Sequence, residues 1–186
     1  ALSLMAISAV KYKWKWGIYC PENYPVKNVV KLIVQILLGK TTNQEFTKNK
    51  ATEKEVSDAV TTFVNKYFFF VDREDGFTPG ELREVKKRMV RQYGIVGFLT
   101  DPWGSLNDSE SRYINPDKTL KKELNQEVRL TTKYKLINLI CHHPKTPKNK
   151  EEALTVPTVF ELDGGKNWWI KIYAALCVHQ EHFDDW

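Results

Sequence analysis

The sequence has few cysteines and no long apolar run or repeat. Cys20, Cys141 and Cys177 are its three thiols in 186 residues. This odd, sparse set is not typical of a disulfide-stapled secreted domain, and it indicates a reducing compartment. We therefore expect the cytoplasm. Three cysteines still allow one disulfide. No apolar stretch reaches the ~18–20 residues of a transmembrane helix, and no fixed period indicates a solenoid or a propeller.

The motifs of several common enzyme classes are also missing. Neither Gly-x-Ser-x-Gly, nor Gly-x-x-x-x-Gly-Lys-Ser/Thr, nor Gly-x-Gly-x-x-Gly occurs. This absence favours a non-enzymatic protein, but it does not exclude an enzyme of another class. The composition, 42% hydrophobic and 27% charged, is that of a globular protein. We expect a single domain over residues 1–186, with a long surface excursion near 100–126 and mobile loops near 40–51 and 142–157.

Hydrophobic periodicity predicts an α+β fold, namely an antiparallel sheet of four to six strands with three helices packed on it. Residues 2–18 and 128–136 alternate in the manner of strands, with lysines on one parity. Shorter strands are predicted at 68–71 and 95–99. The sequence Asp163-Gly164-Gly165-Lys166 predicts a hairpin between 158–162 and 167–179.

Three helices have clear ends. The first covers residues 26–38 and ends at Gly39, a natural C-cap residue. The other two begin with capping boxes, Thr52-x-x-Glu55 and Thr78-Pro79-x-Glu81, in which the hydroxyl and the carboxylate each satisfy a free backbone N–H. The third helix carries a basic outer face and ends at Gly94.

Positive charge is the strongest functional signal. The chain has 28 basic and 23 acidic residues, a net charge of +5, and the basic residues are concentrated on the two long predicted strands and the third helix. Such rows suit a phosphate-rich partner, either nucleic acid or nucleoprotein, or an anionic membrane surface. The competing interpretation is that these lysines only solvate an exposed sheet face. The candidate polyanion-binding residues are Lys11, Lys13, Lys15, Arg83, Lys87, Arg91, Arg129, Lys133 and Lys135.

A second cluster combines thiols with imidazoles. Cys141 and His143 end one predicted strand and Cys177 and His179 end another, so a simple meander would bring both groups to one side of the sheet. Such ligands suit zinc, whereas the ordinary interpretation is buried structural cysteine with no cofactor. With the acidic residues nearby, this cluster supports an alternative function, a metal-dependent nucleic-acid-processing enzyme.

Aromatic residues accumulate near the C-terminus of the sequence. Trp168 and Trp169 are adjacent, so in a strand they would face opposite sides, and Trp186 follows. At least one indole is then covered by a helix or left for a partner. These three residues are candidates for self-association into a homo-oligomer.

The layout of the first third resembles that of matrix proteins of negative-strand RNA viruses of the rhabdovirus type. The similar features are the aromatic and lysine-rich stretch AVKYKWKW at 9–16, a proline-marked turn, an apolar helix, and a basic helix leading into Ile95-Val96-Gly97-Phe98. The resemblance implies a non-enzymatic protein that self-associates and bridges anionic lipid to nucleoprotein, and it carries over no site residue. We therefore predict a structural scaffold protein of this kind, with a plain RNA-binding module as a further alternative.

Overall fold

A computed structural model describes residues 1–43, 45, 48–73, 75–107, 115–146 and 155–178. The chain divides into two compact units. The sheet unit comprises Ala1–Asn107 and Leu130–Cys141, and the helical unit comprises Asp108–Arg129 and His142–Trp186. The single domain expected from the sequence stays a prediction. No helix in the described part of the chain has the length and apolarity needed to cross a bilayer.

The sheet has four strands in the order β2-β1-β3-β4, and all neighbours are parallel. The strands are β1 (Trp16–Tyr19), β2 (Phe68–Phe70), β3 (Gly97–Thr100) and β4 (Ile137–Ile140). The predicted antiparallel sheet is therefore wrong. Short parallel strands are buried on both faces and read as apolar runs without alternation, which is why β2 and β3 were recognisable as strands while their direction was not.

The elements predicted from alternation are helical. Residues 2–18 contain helix α1 (Leu2–Tyr12) followed by the short β1. Nearly every residue from 1 to 10 is apolar, so a period of two and a period of 3.6 fit equally well. Residues 128–136 belong largely to the long helix α6 (Pro116–Tyr134).

The predicted hairpin is also wrong. In its place stand a 3₁₀ turn (Val159–Glu161) and the short helix α7 (Gly165–Lys171). Gly164, with φ of 67°, is the N-cap of this helix. A Cβ atom on Gly165 would lie 2.6 Å from the carbonyl oxygen of Val159, so this glycine lets the helix pack closely on the turn that precedes it.

The predictions based on caps are confirmed. Helix α2 (Lys27–Leu38) ends at Gly39, whose φ is 62°. Helix α3 (Glu53–Ala59) starts with the Thr52 capping box, continues through a π-helical turn (Val60–Val64) and closes with α4 (Asn65–Tyr67) just before β2. Helix α5 (Pro79–Tyr93) starts with the Thr78 capping box and ends at Gly94.

Both faces of the sheet are covered. Trp16, Ile18 and Leu99 pack on one face in a core with side chains of α1 and α2, such as Met5 and Ile33. On the other face, α5 contributes Lys86, whose ammonium lies 5.1 Å from the ring centroid of Phe98. The Nζ of Lys86 also donates a hydrogen bond to Asn138 Oδ1 at 3.1 Å. The two central strands β1 and β3 are thus interior, whereas the outer strands β2 and β4 are partly exposed.

Two glycines join the central strands. Trp16 is in register with Gly97, and Gly17 with Phe98. A Cβ atom on Gly97 would lie 2.1 Å from the Trp16 ring, and one on Gly17 would lie 2.4 Å from Phe98 Cδ2. Each aromatic ring therefore lies over the glycine of the neighbouring strand, an arrangement that pins the register of β1 against β3.

Candidate polyanion-binding site

Parallel strands bring their entry segments to one edge of the sheet. The N–H of Val96 donates to Lys15 O, and that of Ile137 donates to Val96 O, both at 2.9 Å, so the segments before β1, β3 and β4 lie side by side. The segment before β2 joins them because Trp16 is in register with Phe68. We call this edge, formed by residues 11–15, 65–67, 91–96 and 131–136, the basic edge.

The basic edge contains seven cations and no aspartate or glutamate. Lys15 is half-buried and the other six are exposed. None of them forms an ion pair with a carboxylate among the described residues, whereas lysines and arginines elsewhere do, as in Lys40–Glu55 and Arg73–Glu81. The positive charge of this edge is therefore not neutralised within the described chain. Its members are Lys11, Lys13, Lys15, Lys66, Arg91, Lys133 and Lys135.

Helix ends explain why cations collect here. Lys11 lies in the last turn of α1, and Lys13 is its C-cap, with φ of 60° and its Nζ donating to Val10 O at 2.9 Å. Free carbonyls and the negative end of the macrodipole favour cations at such positions. Lys15 adds a bridge between elements, because its Nζ donates to Tyr93 O at 3.0 Å, at the end of α5.

The ends of α5 and α6 contribute the other half of the edge. Arg91 donates from Nη2 to Tyr134 Oη at 3.1 Å, and the Nζ of Lys133 lies 5.8 Å from the centroid of the same ring. Lys135 follows with φ of 50°. Since the phenol is a neutral acceptor, both cations near Tyr134 keep their charge available to an external anion.

Six of the nine predicted polyanion-binding residues thus meet at one edge, but helix ends bring them there instead of strand faces. Arg83 is different, because it is only 8% exposed. Lys87 lies on α5 and pairs with Glu84 at 2.5 Å, and Arg129 belongs to the helical unit. Lys66 was missed, although its position directly before the apolar strand 68–70 was a usable signal.

A second positive surface lies in the helical unit. The solvent side of α6 carries Lys118, Lys121, Lys122 and Arg129 at helical spacing, with the amides of Asn125 and Gln126 among them. Together they line a shallow concavity of about 230 Å³. We call this surface the α6 cationic face. Only Arg129 was among the predicted residues, because residues 100–126 were expected to form a surface excursion and Lys118, Lys121 and Lys122 lie within it.

The predicted metal cluster is not assembled in the described residues. Cys141 ends the sheet unit, whereas His143 and Cys177 belong to the helical unit, and His179 lies outside the described residues. Across the described ranges, no group of three or more histidine, cysteine, aspartate or glutamate side chains is arranged to hold a metal ion. The zinc interpretation therefore stays a prediction.

Two of the thiols lie at the opposite edge of the sheet, beside one carboxylate. Cys20, Asp101 and Cys141 directly follow β1, β3 and β4 in the same register. The Cys20 thiol donates to Asp101 Oδ2 at 3.6 Å. Burial raises the pKa of Cys141 to about 11, and the Asp101 carboxylate adds to the rise; burial likewise raises the pKa of Cys20. Both groups are protonated at neutral pH, which argues against nucleophilic catalysis by these thiols.

The three tryptophans proposed for self-association differ in exposure. Trp168 is 3% exposed, and its Nε1 donates to Asp163 O at 3.1 Å. Trp169 is 60% exposed, and its ring centroid lies 5.5 Å from that of Phe160. Trp186 lies outside the described residues. Of the two candidate tryptophans that lie within the described residues, Trp169 is the one whose indole is accessible to a partner.

Comparison with models of protein families found no match, and a search of curated proteins found none either.

Proposed function

We propose that this protein is a non-enzymatic scaffold protein that binds the phosphate backbone of nucleic acid, free or within a nucleoprotein, through the basic edge. One observation carries the proposal: seven cations from four separate stretches of the chain share an edge that contains no carboxylate. Lysine and arginine side chains displace the counterions condensed on such a backbone, and this displacement drives binding that is independent of sequence.

The size of the edge suits this ligand. Neighbouring strands lie about 4.8 Å apart, so four strand starts span about 14 Å. Phosphates of one DNA strand follow each other every ~3.4 Å along the helix axis, so this length faces about four phosphates. Cations of α1, α5 and α6 reach the same edge from both faces of the sheet, so the positive surface is broad as well as long.

The test is charge reversal at the end of α1. We expect Lys11/Lys13/Lys15→Glu to lower affinity for a double-stranded oligonucleotide on the order of 100-fold at low salt, and to reduce the slope of log K against log salt by about one per lysine. Fluorescence anisotropy over a salt series measures both quantities.

The matched control is Lys27/Lys31/Lys54→Glu, which makes the same change of charge at exposed positions of α2 and α3. Equal losses in both variants, or unchanged binding by the α1 variant, would contradict the proposal. Because glutamates also disfavour a helix C-terminus, Lys11/Lys13/Lys15→Gln with unchanged circular dichroism separates lost charge from lost folding.

The proposal includes self-association, as expected for a scaffold of the viral matrix type, in the cytoplasm or a virion interior. Trp169 is exposed, so its indole is accessible either to a second copy or to another partner. Light scattering at near-physiological salt distinguishes an extended assembly from a monomeric RNA-binding module.

A second candidate function, binding to an anionic membrane surface, is favoured by the outer face of α1. Leu4, Ile7 and Val10 are exposed at helical spacing, and Lys11 and Lys13 follow them. Apolar side chains beside lysines are typical of interfacial helices. Sedimentation with phosphatidylserine vesicles tests this candidate: Leu4/Ile7→Ser should abolish vesicle binding and leave oligonucleotide binding unchanged.

A further inference from the structure

The α6 cationic face can follow an extended phosphate chain. From Lys118 to Arg129 the helix advances eleven residues, or about 16 Å at 1.5 Å per residue. The acidic residues of this part of α6 lie elsewhere, since Glu127 is buried and Glu123 half-buried. The Asp117 backbone carbonyl, at the start of the helix, accepts from Asn167 Nδ2 at 3.4 Å. Between Lys118 and Arg129 the solvent side of α6 therefore offers cations and amides to an anion, and the exposed acidic residue of this helix is Asp117, one residue before Lys118.

An exposed aromatic pair belongs to the same unit. Phe160, on the 3₁₀ turn, is 58% exposed and Trp169, on α7, is 60% exposed. Their ring planes are tilted by 37° at a centroid separation of 5.5 Å. The tilt leaves most of the indole open to solvent. The indole of Trp168 is buried, so α7 is anchored by one tryptophan and presents the other outward.

The two features are attached to each other. Asn167 of α7 bonds to the first turn of α6. A Cβ atom on Gly164 would lie 2.3 Å from Leu120 Cδ2, so the start of α7 is in close contact with α6. The aromatic pair is therefore held at a fixed place beside the end of α6 where the cationic face begins.

We infer that the helical unit binds single-stranded nucleic acid, with phosphates on the α6 cationic face and an unpaired base stacked on the Trp169–Phe160 pair. The inference rests on the proposed function and names the strandedness of the ligand. In a duplex the bases are stacked on one another and offer no free ring face, whereas single strands stack their bases on protein aromatics beside a cationic groove.

The chemistry of the Trp169–Phe160 pair favours a nucleic-acid base over other ligands. Aromatic rings with open faces suit flat π-systems, and a stack of this kind is worth about 5- to 150-fold in affinity per base. The neighbouring cations supply the charge that a nucleic acid needs, while two copies of this chain would bring two positive α6 faces toward each other. A contact between copies through Trp169 is therefore an outcome for the test to exclude.

The test compares a single-stranded oligonucleotide with the same strand annealed to its complement, in ribose and deoxyribose versions that identify the natural source. We expect Trp169→Ala to lower single-strand affinity by about 5- to 150-fold with little change for the duplex, and Trp169→Phe to restore part of it. Lys118/Lys121/Lys122→Gln should weaken binding of the single strand and of inorganic polyphosphate alike. Tyr173→Ala, which removes another exposed ring of this unit, is the matched control and should change neither.

Equal effects of Trp169→Ala on single strand and duplex, or none on either, would overturn the inference. A loss of oligomer in light scattering with unchanged single-strand affinity would also overturn it in favour of a contact between copies. These results leave the proposed function standing, because that function fails when charge reversal at Lys11, Lys13 and Lys15 lowers duplex binding no more than charge reversal at Lys27, Lys31 and Lys54 does.

Discussion

The two edges of the sheet have opposite charge. The basic edge contains seven cations and no carboxylate, whereas the segments that follow the strands carry carboxylates and two half-buried thiols. In open parallel sheets, ligands ordinarily bind beyond the carboxyl ends of the strands, but an anion is repelled from that edge here. Charge, more than topology, therefore locates the candidate site of this protein. The described carboxylates after the strands are Glu22, Asp72, Asp75 and Asp101.

Helix capping explains part of this segregation. Helices α3 and α5 begin with Glu55 and Glu81 in capping boxes, and α1, α5 and α6 end with lysines or arginines. Acidic residues favour helix N-termini and basic residues favour C-termini. In a parallel sheet all crossover helices run in the same sense, so their local preferences add up to two charged edges.

The largest effect is expected between the central strands β1 and β3, which run from the basic edge to the opposite edge. Gly97→Ala forces a methyl group into the Trp16 ring, which is buried and has no free space. We expect a loss of about 1–3 kcal/mol in the free energy of unfolding, measured by urea denaturation. Gly104→Ala is the control, because a Cβ atom there meets nothing within 4 Å; equal stability of the two variants would contradict the packing described here.

A smaller effect is expected at the half-buried thiols Cys20 and Cys141, which lie beside Asp101 at the opposite edge. Burial is the main cause of the raised pKa of Cys141, and Asp101 contributes to it. Asp101→Asn removes the negative charge, so the pKa of Cys141 and of Cys20 should fall and their alkylation by iodoacetamide should become several-fold faster at mildly alkaline pH. The exposed Cys177 serves as the internal reference. Unchanged rates would mean that access, and not charge, limits these thiols.

The smallest expected effect is the acid response of the capping boxes. Hydrogen bonds from Arg73 and Thr78 lower the pKa of Glu81 from 4.5 to about 2, and Lys40 and Thr52 do the same for Glu55. A folded pKa below the unfolded one stabilises the protein above about pH 4.5, and this stabilisation is lost as the pH falls toward 2. Thermal unfolding between these values should show a shallower decline in Glu55→Gln/Glu81→Gln than in wild type; an identical decline would show that other carboxylates dominate acid unfolding.

Local signals allowed the helices to be predicted, and non-local ones limited the rest. Capping boxes at Thr52 and Thr78 define helix starts within four residues, so α3 and α5 were predictable. Alternation over 128–136 was misleading, because Leu130 is buried by the helical spacing of α6. Strand direction depends on partners distant in sequence, and four-residue strands carry too little pattern to choose between parallel and antiparallel pairing.

The candidate site was predicted in part for the same reason. Lys11, Lys13 and Lys15 were identified by charge alone, and charge does not depend on the assigned secondary structure. Their gathering with Lys133 and Lys135 follows from parallel order, which the sequence pattern did not indicate. The α6 cationic face required the correct helical phase, so Lys118, Lys121 and Lys122 were not identified.

Strand β3 also separates two sulfur atoms. Cys20 and Cys141 follow strands that lie on either side of β3, so their Cα atoms are two strand spacings, about 10 Å, apart. A disulfide needs Cα atoms within about 7 Å. An oxidant therefore cannot link Cys20 to Cys141 unless the middle of the sheet opens. In the folded chain, the exposed thiol of Cys177 is the one that an oxidant or a cross-linking reagent reaches from solvent.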